Sequence, residues 1–150
     1  MNKKGFTLVE LMSVLVIMTI IMMLGTYSVQ KLNIVINRDL WTSKVKLIEK
    51  AAVKFGEDHK NILTDTCNID GSKKTQCKQI KVQTLIDRGY IRTKEYQKDK
   101  NGAFIVDLEG NKSKTIINDN KNYGDVGYYV NENNVKVYIE NNFVYAKFVE

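Results

Sequence analysis

The sequence predicts an α+β protein: one long N-terminal helix, its hydrophobic half protruding, packs its second half against a C-terminal antiparallel sheet. Three observations carry that prediction. Residues 6–29 form an apolar run broken by a single charge, Glu10. Between Leu40 and Phe55 apolar residues return at helical spacing. From Ala103 onward the pattern becomes short alternating stretches punctuated by Asn and Gly, the signature of strands.

The first element is the apolar run. As a helix its 24 residues would be about 36 Å long, enough to cross a hydrocarbon layer of about 30 Å. Lys3 and Lys4 precede it and Lys31 and Arg38 follow it; the short basic leader favours an N-terminus that stays in the cytoplasm. Gly25-Thr26-Tyr27-Ser28 is a poor match to a small-x-small cleavage site, so the segment is expected to remain with the protein. A carboxylate within such a span costs roughly 2.5 to 3.5 kcal/mol and calls for a cationic partner.

The hexapeptide Gly5-Phe6-Thr7-Leu8-Val9-Glu10 behind that basic leader resembles the prepilin signal of type IV pilins and the related pseudopilins. The resemblance covers roughly the first 25 to 30 residues. It implies a pilin-like fold, cleavage after Gly5 by a membrane aspartyl prepilin peptidase, N-methylation of Phe6, and pairing of Glu10 with the terminal amine of a neighbouring subunit. The residues suit that chemistry. Glycine admits close approach of a protease to the backbone, and a new ammonium on Phe6 would lie four residues before Glu10, on the same helical face. Two plainer readings stand beside it. Glu10 is also an acid in a helix's first turns, favoured by the macrodipole, and the whole stretch is also an ordinary signal anchor. Family members commonly carry a proline within the apolar helix; this chain has none anywhere, and Gly25 and Tyr27 occupy that neighbourhood. Gly25 weakens the helix by about 1 kcal/mol relative to alanine.

These readings divide the chain into a leader at 1–5, a transmembrane or filament-core helix at 6–29 and a head at 30–150. The head, about 120 residues, has room for one core. The formal charge of +6 falls by two if Lys3 and Lys4 leave with the leader, a mild basic excess that solubility accounts for.

Within the head, the helix is predicted to run on through 30–55. Leu40, Leu47, Ile48, Ala51 and Phe55 form the buried stripe, Arg38, Asp39, Lys46, Glu49 and Lys50 lie opposite, and Lys44 is an exception within the stripe. Gly56 is read as the helix end. His59, the single histidine, falls in a charged stretch and is read as solvated. Across 56–92, Cys67 and Cys77 flank the turn-rich NIDGSKKTQ. Outside the cytoplasm they could close a disulfide worth about 3 kcal/mol; free thiols are the alternative, and a metal site lacks further Cys or His ligands. Residues 82–88 have helical spacing, with Gly89 at the C-cap position. In the sheet region, 103–149, strands are predicted at 103–108, 113–117, 126–130, 135–139 and 143–148, the last three as a meander. Phe143, Tyr145 and Lys147 would face one way, and Val144, Ala146 and Phe148 the other.

One histidine cannot furnish a nucleophile–base–acid set, and no Gly-rich phosphate cradle is present. Asp99 to Gly102 and Asn118 to Asp125 lack EF-hand spacing and read as turns. The Asn111-Lys112-Ser113 sequon reads as a chance triplet. Lys73, Lys74, Lys78 and Lys81 cluster without interleaved aromatics, so no specific nucleic acid is expected. The expectation is therefore a structural protein, not an enzyme, without cofactor or metal: a type IV pilus subunit, membrane-held before assembly and extracellular afterwards. Its implied partners are other pilin subunits, prepilin peptidase, and an inner-membrane assembly platform with its ATPase. The alternatives are a pseudopilin of a secretion or DNA-uptake machine and a membrane-anchored binding module.

Overall fold

The computed structural model describes residues 7–69, 73–106 and 108–149. The chain divides into two compact units, one up to Asn37 and one from Arg38. One helix, α1, Leu8–Asp58, supplies the first unit and opens the second.

In the first unit the large apolar side chains from Leu8 to Leu24 are exposed. By length and composition α1 is able to cross a membrane, with mean hydropathy 2.4 in its most apolar window. Its hydroxyls turn inward on the helix. Ser13, Thr19 and Thr26 donate to the carbonyls of Glu10, Val16 and Met23, three residues back, and Ser28 donates to that of Leu24, four back, at 2.8–3.1 Å. The apolar segment thus keeps these donors satisfied without solvent.

In the second unit α1 buries Trp41, Ile48, Ala51, Ala52 and Phe55. The predicted stripe is displaced: Leu40 and Leu47 remain 48% and 49% exposed. Trp41 sets the true face, packing edge-on against Phe148 with ring centroids 5.6 Å apart. Gly56 does not end the helix, which continues to Asp58. It is buried where the helix meets the sheet. A Cβ there would lie 2.6 Å from Val137 Cγ1 and 2.8 Å from Val144 Cγ1.

The main sheet is antiparallel, ordered β1-β2-β5-β6. Its strands are β1 (Asp65–Ile69), β2 (Lys73–Lys81), β5 (Asn134–Glu140) and β6 (Phe143–Val149). Two of them, β1 and β2, occupy the stretch read as a turn-rich loop. Their sequences lack apolar alternation because, among the described residues, β2 buries just Ile80 on the face toward α1 and Cys77 on the other. β2 takes the place beside β5 that the predicted meander gave to 126–130. The apolar stretches at 103–108 and 126–130 form only isolated bridges, Lys98 to Phe104, Val106 to Lys112 and Ile117 to Tyr129. The strand expected at 113–117 shortens to β4 (Lys114–Thr115), which pairs with β3 (Glu95–Tyr96).

Helix α2, Val82–Asp87, falls where predicted, and Gly89 closes it at φ +78° with its N–H on the Ile86 carbonyl. Hairpin β5–β6 turns through Asn141 and Asn142, both at positive φ, as a two-residue type I′ turn requires. Val135, Val137 and Val144 face the helix and complete a core with Ile80, Val82, Leu85, Ile91, Ile116 and Val130. As the alternation predicts, Val144, Ala146 and Phe148 point inward and Phe143, Tyr145 and Lys147 outward.

Candidate functional site

Thr7 is the N-cap of α1, and Glu10 is the third residue of the helix. The Thr7 backbone N–H and hydroxyl both donate to Glu10 Oε2 at 2.8 Å, and the Glu10 N–H donates to Thr7 Oγ1 at 3.3 Å. This is a reciprocal capping box, which satisfies donors that a helix start otherwise leaves bare. The carboxylate is thereby turned toward the positive end of the helix dipole. Chemically, that arrangement holds an anion in the first turn of the apolar helix, on the fifth residue after the bond read as the cleavage site. Gly5 and Phe6 themselves lie outside the described residues. The spacing Thr-x-x-Glu is the signal in the sequence for this box.

Cys67 and Cys77 are joined in a disulfide, with Cα atoms 5.9 Å apart. In the β1–β2 register Cys67 faces Thr75 and Asp65 faces Cys77, so the bond runs diagonally between neighbouring strands. Tyr138, opposite Cys77 on β5, stacks on Tyr145 with centroids 5.7 Å apart. The disulfide therefore lies on the sheet face turned away from α1.

Lys44, the exception in the predicted stripe, forms a polar tie within the head. Its ammonium lies 2.7 Å from Glu95 Oε1 and 2.9 Å from Asp119 Oδ2, and donates to the Ile117 carbonyl at 3.0 Å. Glu95 also accepts the Ile117 N–H at 2.6 Å. Burial pulls the ammonium's pKa down, but the hydrogen bonds and charges of Glu95 and Asp119 more than offset it, leaving it above the ordinary lysine value.

His59 stacks on Phe55 with centroids 4.6 Å apart, and its Nδ1 lies 3.1 Å from the Phe55 carbonyl. Among the described residues no group of three or more His, Cys, Asp or Glu is placed to hold a metal. The turns considered for calcium use their own side chains: Asp99 accepts the N–H groups of Asn101 and Ala103, and Asp125 accepts that of Asn122.

No curated protein and no solved structure matches the chain. Residues 1–26 match the family model of the prokaryotic N-terminal methylation motif. The capped start of α1, with Glu10 at its third position and exposed apolar side chains behind it, lies inside that match. The chain carries the class III signal of type IV pilins and pseudopilins, and with it the implied handling by prepilin peptidase and assembly with other pilin subunits at a membrane.

Proposed function

We propose that this protein is the structural subunit of a type IV pilus, cut after Gly5, methylated on Phe6 and assembled through α1 into an extracellular filament. The methylation motif at the head of an exposed apolar helix carries the reading. Before assembly the helix anchors the chain in the membrane, with the assembly platform and its ATPase as further partners. Lipid and a bundle of such helices are similarly apolar, so burial alone does not drive the transfer between them. Close packing and a Phe6 ammonium to Glu10 carboxylate pair supply order and axial register. Thr7 already holds that carboxylate at the helix start. The role is structural, without catalysis, and adhesion or surface motility are the functions such a filament serves.

Intact mass and N-terminal fragmentation of the chain from its native membrane or sheared surface fraction test the reading. A chain beginning at N-methylated Phe6 and recovered with surface filaments is expected. One still beginning near Met1, in cells with active prepilin peptidase, would overturn it in favour of an anchored binding module. Processed chain that never enters surface filaments, with secretion or uptake lost on its deletion, would make it a pseudopilin. Glu10→Ala should leave cleavage intact and abolish incorporation into filaments, read by immunoblotting the sheared fraction.

A further inference from the structure

The polar tie around Lys44 differs in kind from the other lysine pairs among the described residues. Lys78–Asp65 and Lys81–Glu132 each join one lysine to one acid, and their side chains are 41% to 78% exposed. At Lys44 one ammonium meets two acids, and the side chains of Lys44, Glu95 and Asp119 are only 25%, 31% and 21% exposed. Leu47, Ile91 and Ile116 line the recess beside Lys44 and Glu95. Lys44 Nζ lies 3.1 Å from Asp119 Oδ1 and 2.9 Å from Oδ2, so it stands before the carboxyl group as a whole, not at one oxygen. Although the ammonium is that near, Oδ2 is buried and accepts no hydrogen bond. A buried oxygen in that state keeps its desolvation cost uncompensated. Glu95 is fixed from both sides: Oε1 lies 2.7 Å from Nζ, and Oε2 accepts the Ile117 N–H at 2.6 Å.

We propose that Lys44 and Asp119 condense into an isopeptide bond, with Glu95 relaying the protons. Glu95 Oε1 takes a proton from the ammonium and passes it to Asp119, which frees the nitrogen lone pair and turns the carboxylate into a carboxylic acid. The amine then adds to Asp119 Cγ. A second proton leaves the nitrogen by way of Glu95, and the departing oxygen carries both protons away as water. One C–N bond forms and one C–O bond breaks, with no oxidant or activating group consumed. Departure of Oδ2 removes the buried orphan. The proton that stays on nitrogen keeps the hydrogen bond to the Ile117 carbonyl, which Nζ already makes at 3.0 Å. Between free molecules water opposes such a condensation, but groups ordered by a fold react as if at effective molarities of about 10⁵ M or more. Because the ammonium's pKa is held above the ordinary lysine value, the freshly folded chain carries the ion pair and condensation follows slowly. The bond fastens α1 to the segment after β4, 75 residues on, a part of the head that the Cys67–Cys77 disulfide leaves untied. The inference concerns the head and stands whether or not the chain is a filament subunit.

The test is intact mass and peptide mapping of the full chain, purified in nonionic detergent, incubated for days at neutral pH, then reduced and denatured. Reduction removes the disulfide from the count. A mass lighter by one water than the chain's N-terminus and sequence require is expected, together with a digest peptide in which the fragments carrying Lys44 and Asp119 are joined. Glu95→Gln, whose side-chain oxygen can still accept the Ile117 N–H, should slow the loss of water by roughly a hundredfold or more. Lys44→Arg should lose none. Wild type that keeps its full mass throughout would overturn the proposal and leave an ion pair only. So would an equal loss of water from Lys44→Arg, which would place the dehydration elsewhere in the chain. An undiminished rate in Glu95→Gln would overturn the relay. Trp41 emission, from the chain's single tryptophan, checks that every variant is folded.

Discussion

Gly56 and Lys44 show what one residue contributes at the meeting of helix and sheet. At Gly56 the valines on β5 and β6 stand where a Cβ would go, and a valine methyl cannot swing aside as the end of a long side chain can. Gly56→Ala should therefore destabilise the head by about 1 to 2 kcal/mol, an overpacking penalty partly offset by alanine's better helix propensity; the midpoint of denaturant unfolding, followed by Trp41 emission, reads it. The sequence could not distinguish this use of glycine from a helix stop, because both look the same without the facing strand. Lys44 was visible as an anomaly but not its purpose, since Glu95 and Asp119 lie far along the chain. Lys44→Met leaves those two carboxylates facing each other, and a loss of about 1 to 3 kcal/mol is expected. Because Lys44's pKa is raised in the fold, the folded state holds that proton more tightly. Its contribution is present at neutral pH and fades as pH climbs past the ordinary lysine value of 10.5. Between about pH 8 and about pH 11 the wild type, freshly folded, should lose more stability than Lys44→Met, in paired urea titrations.

Elements differ in how plainly the sequence announces them. Helix α1, α2 with its glycine cap, and hairpin β5–β6 with its Asn-Asn turn are local, and each was legible. Strands β1 and β2 were not, because their sequences are polar and their pairing rests on contacts across the sheet. The spacing of the two cysteines suggests the loop that their disulfide closes, but not that this loop is a hairpin at the sheet's edge. β1 pairs with one strand, β2, and the disulfide ties it to that strand covalently, beside the Lys78–Asp65 ion pair and the Lys136 ammonium that donates to the Asn68 carbonyl. Replacing both cysteines with serine should cost about 3 kcal/mol by loop-closure entropy. Hydrogen exchange should accelerate first at residues 65–69, while β5 and β6 stay protected as long as the core is intact. Uniform acceleration across the sheet would show that the bond supports the whole head instead.

At the scale of the molecule, the processing signal was the most legible part, and for a physical reason. A short linear motif and an uninterrupted apolar run are recorded in consecutive residues, and Thr7 and Glu10 meet within a single turn. The Lys44 cluster is the opposite case, with Glu95 and Asp119 standing 51 and 75 residues from the lysine they meet. The full chain should require detergent or lipid to stay dispersed, given the exposed side chains from Leu8 to Leu24. Sedimentation with and without detergent checks this. The Cys67–Cys77 bond also keeps a record of the chain's history. The cysteines are synthesised in reducing surroundings, and in the proposed orientation the head follows the anchor across the membrane, so their pairing dates from the crossing. An intact chain becomes lighter by two hydrogens at that event, and by the leader when the bond after Gly5 is cut. Both losses are written on the same molecule, and the order in which they accumulate after synthesis dates translocation against processing.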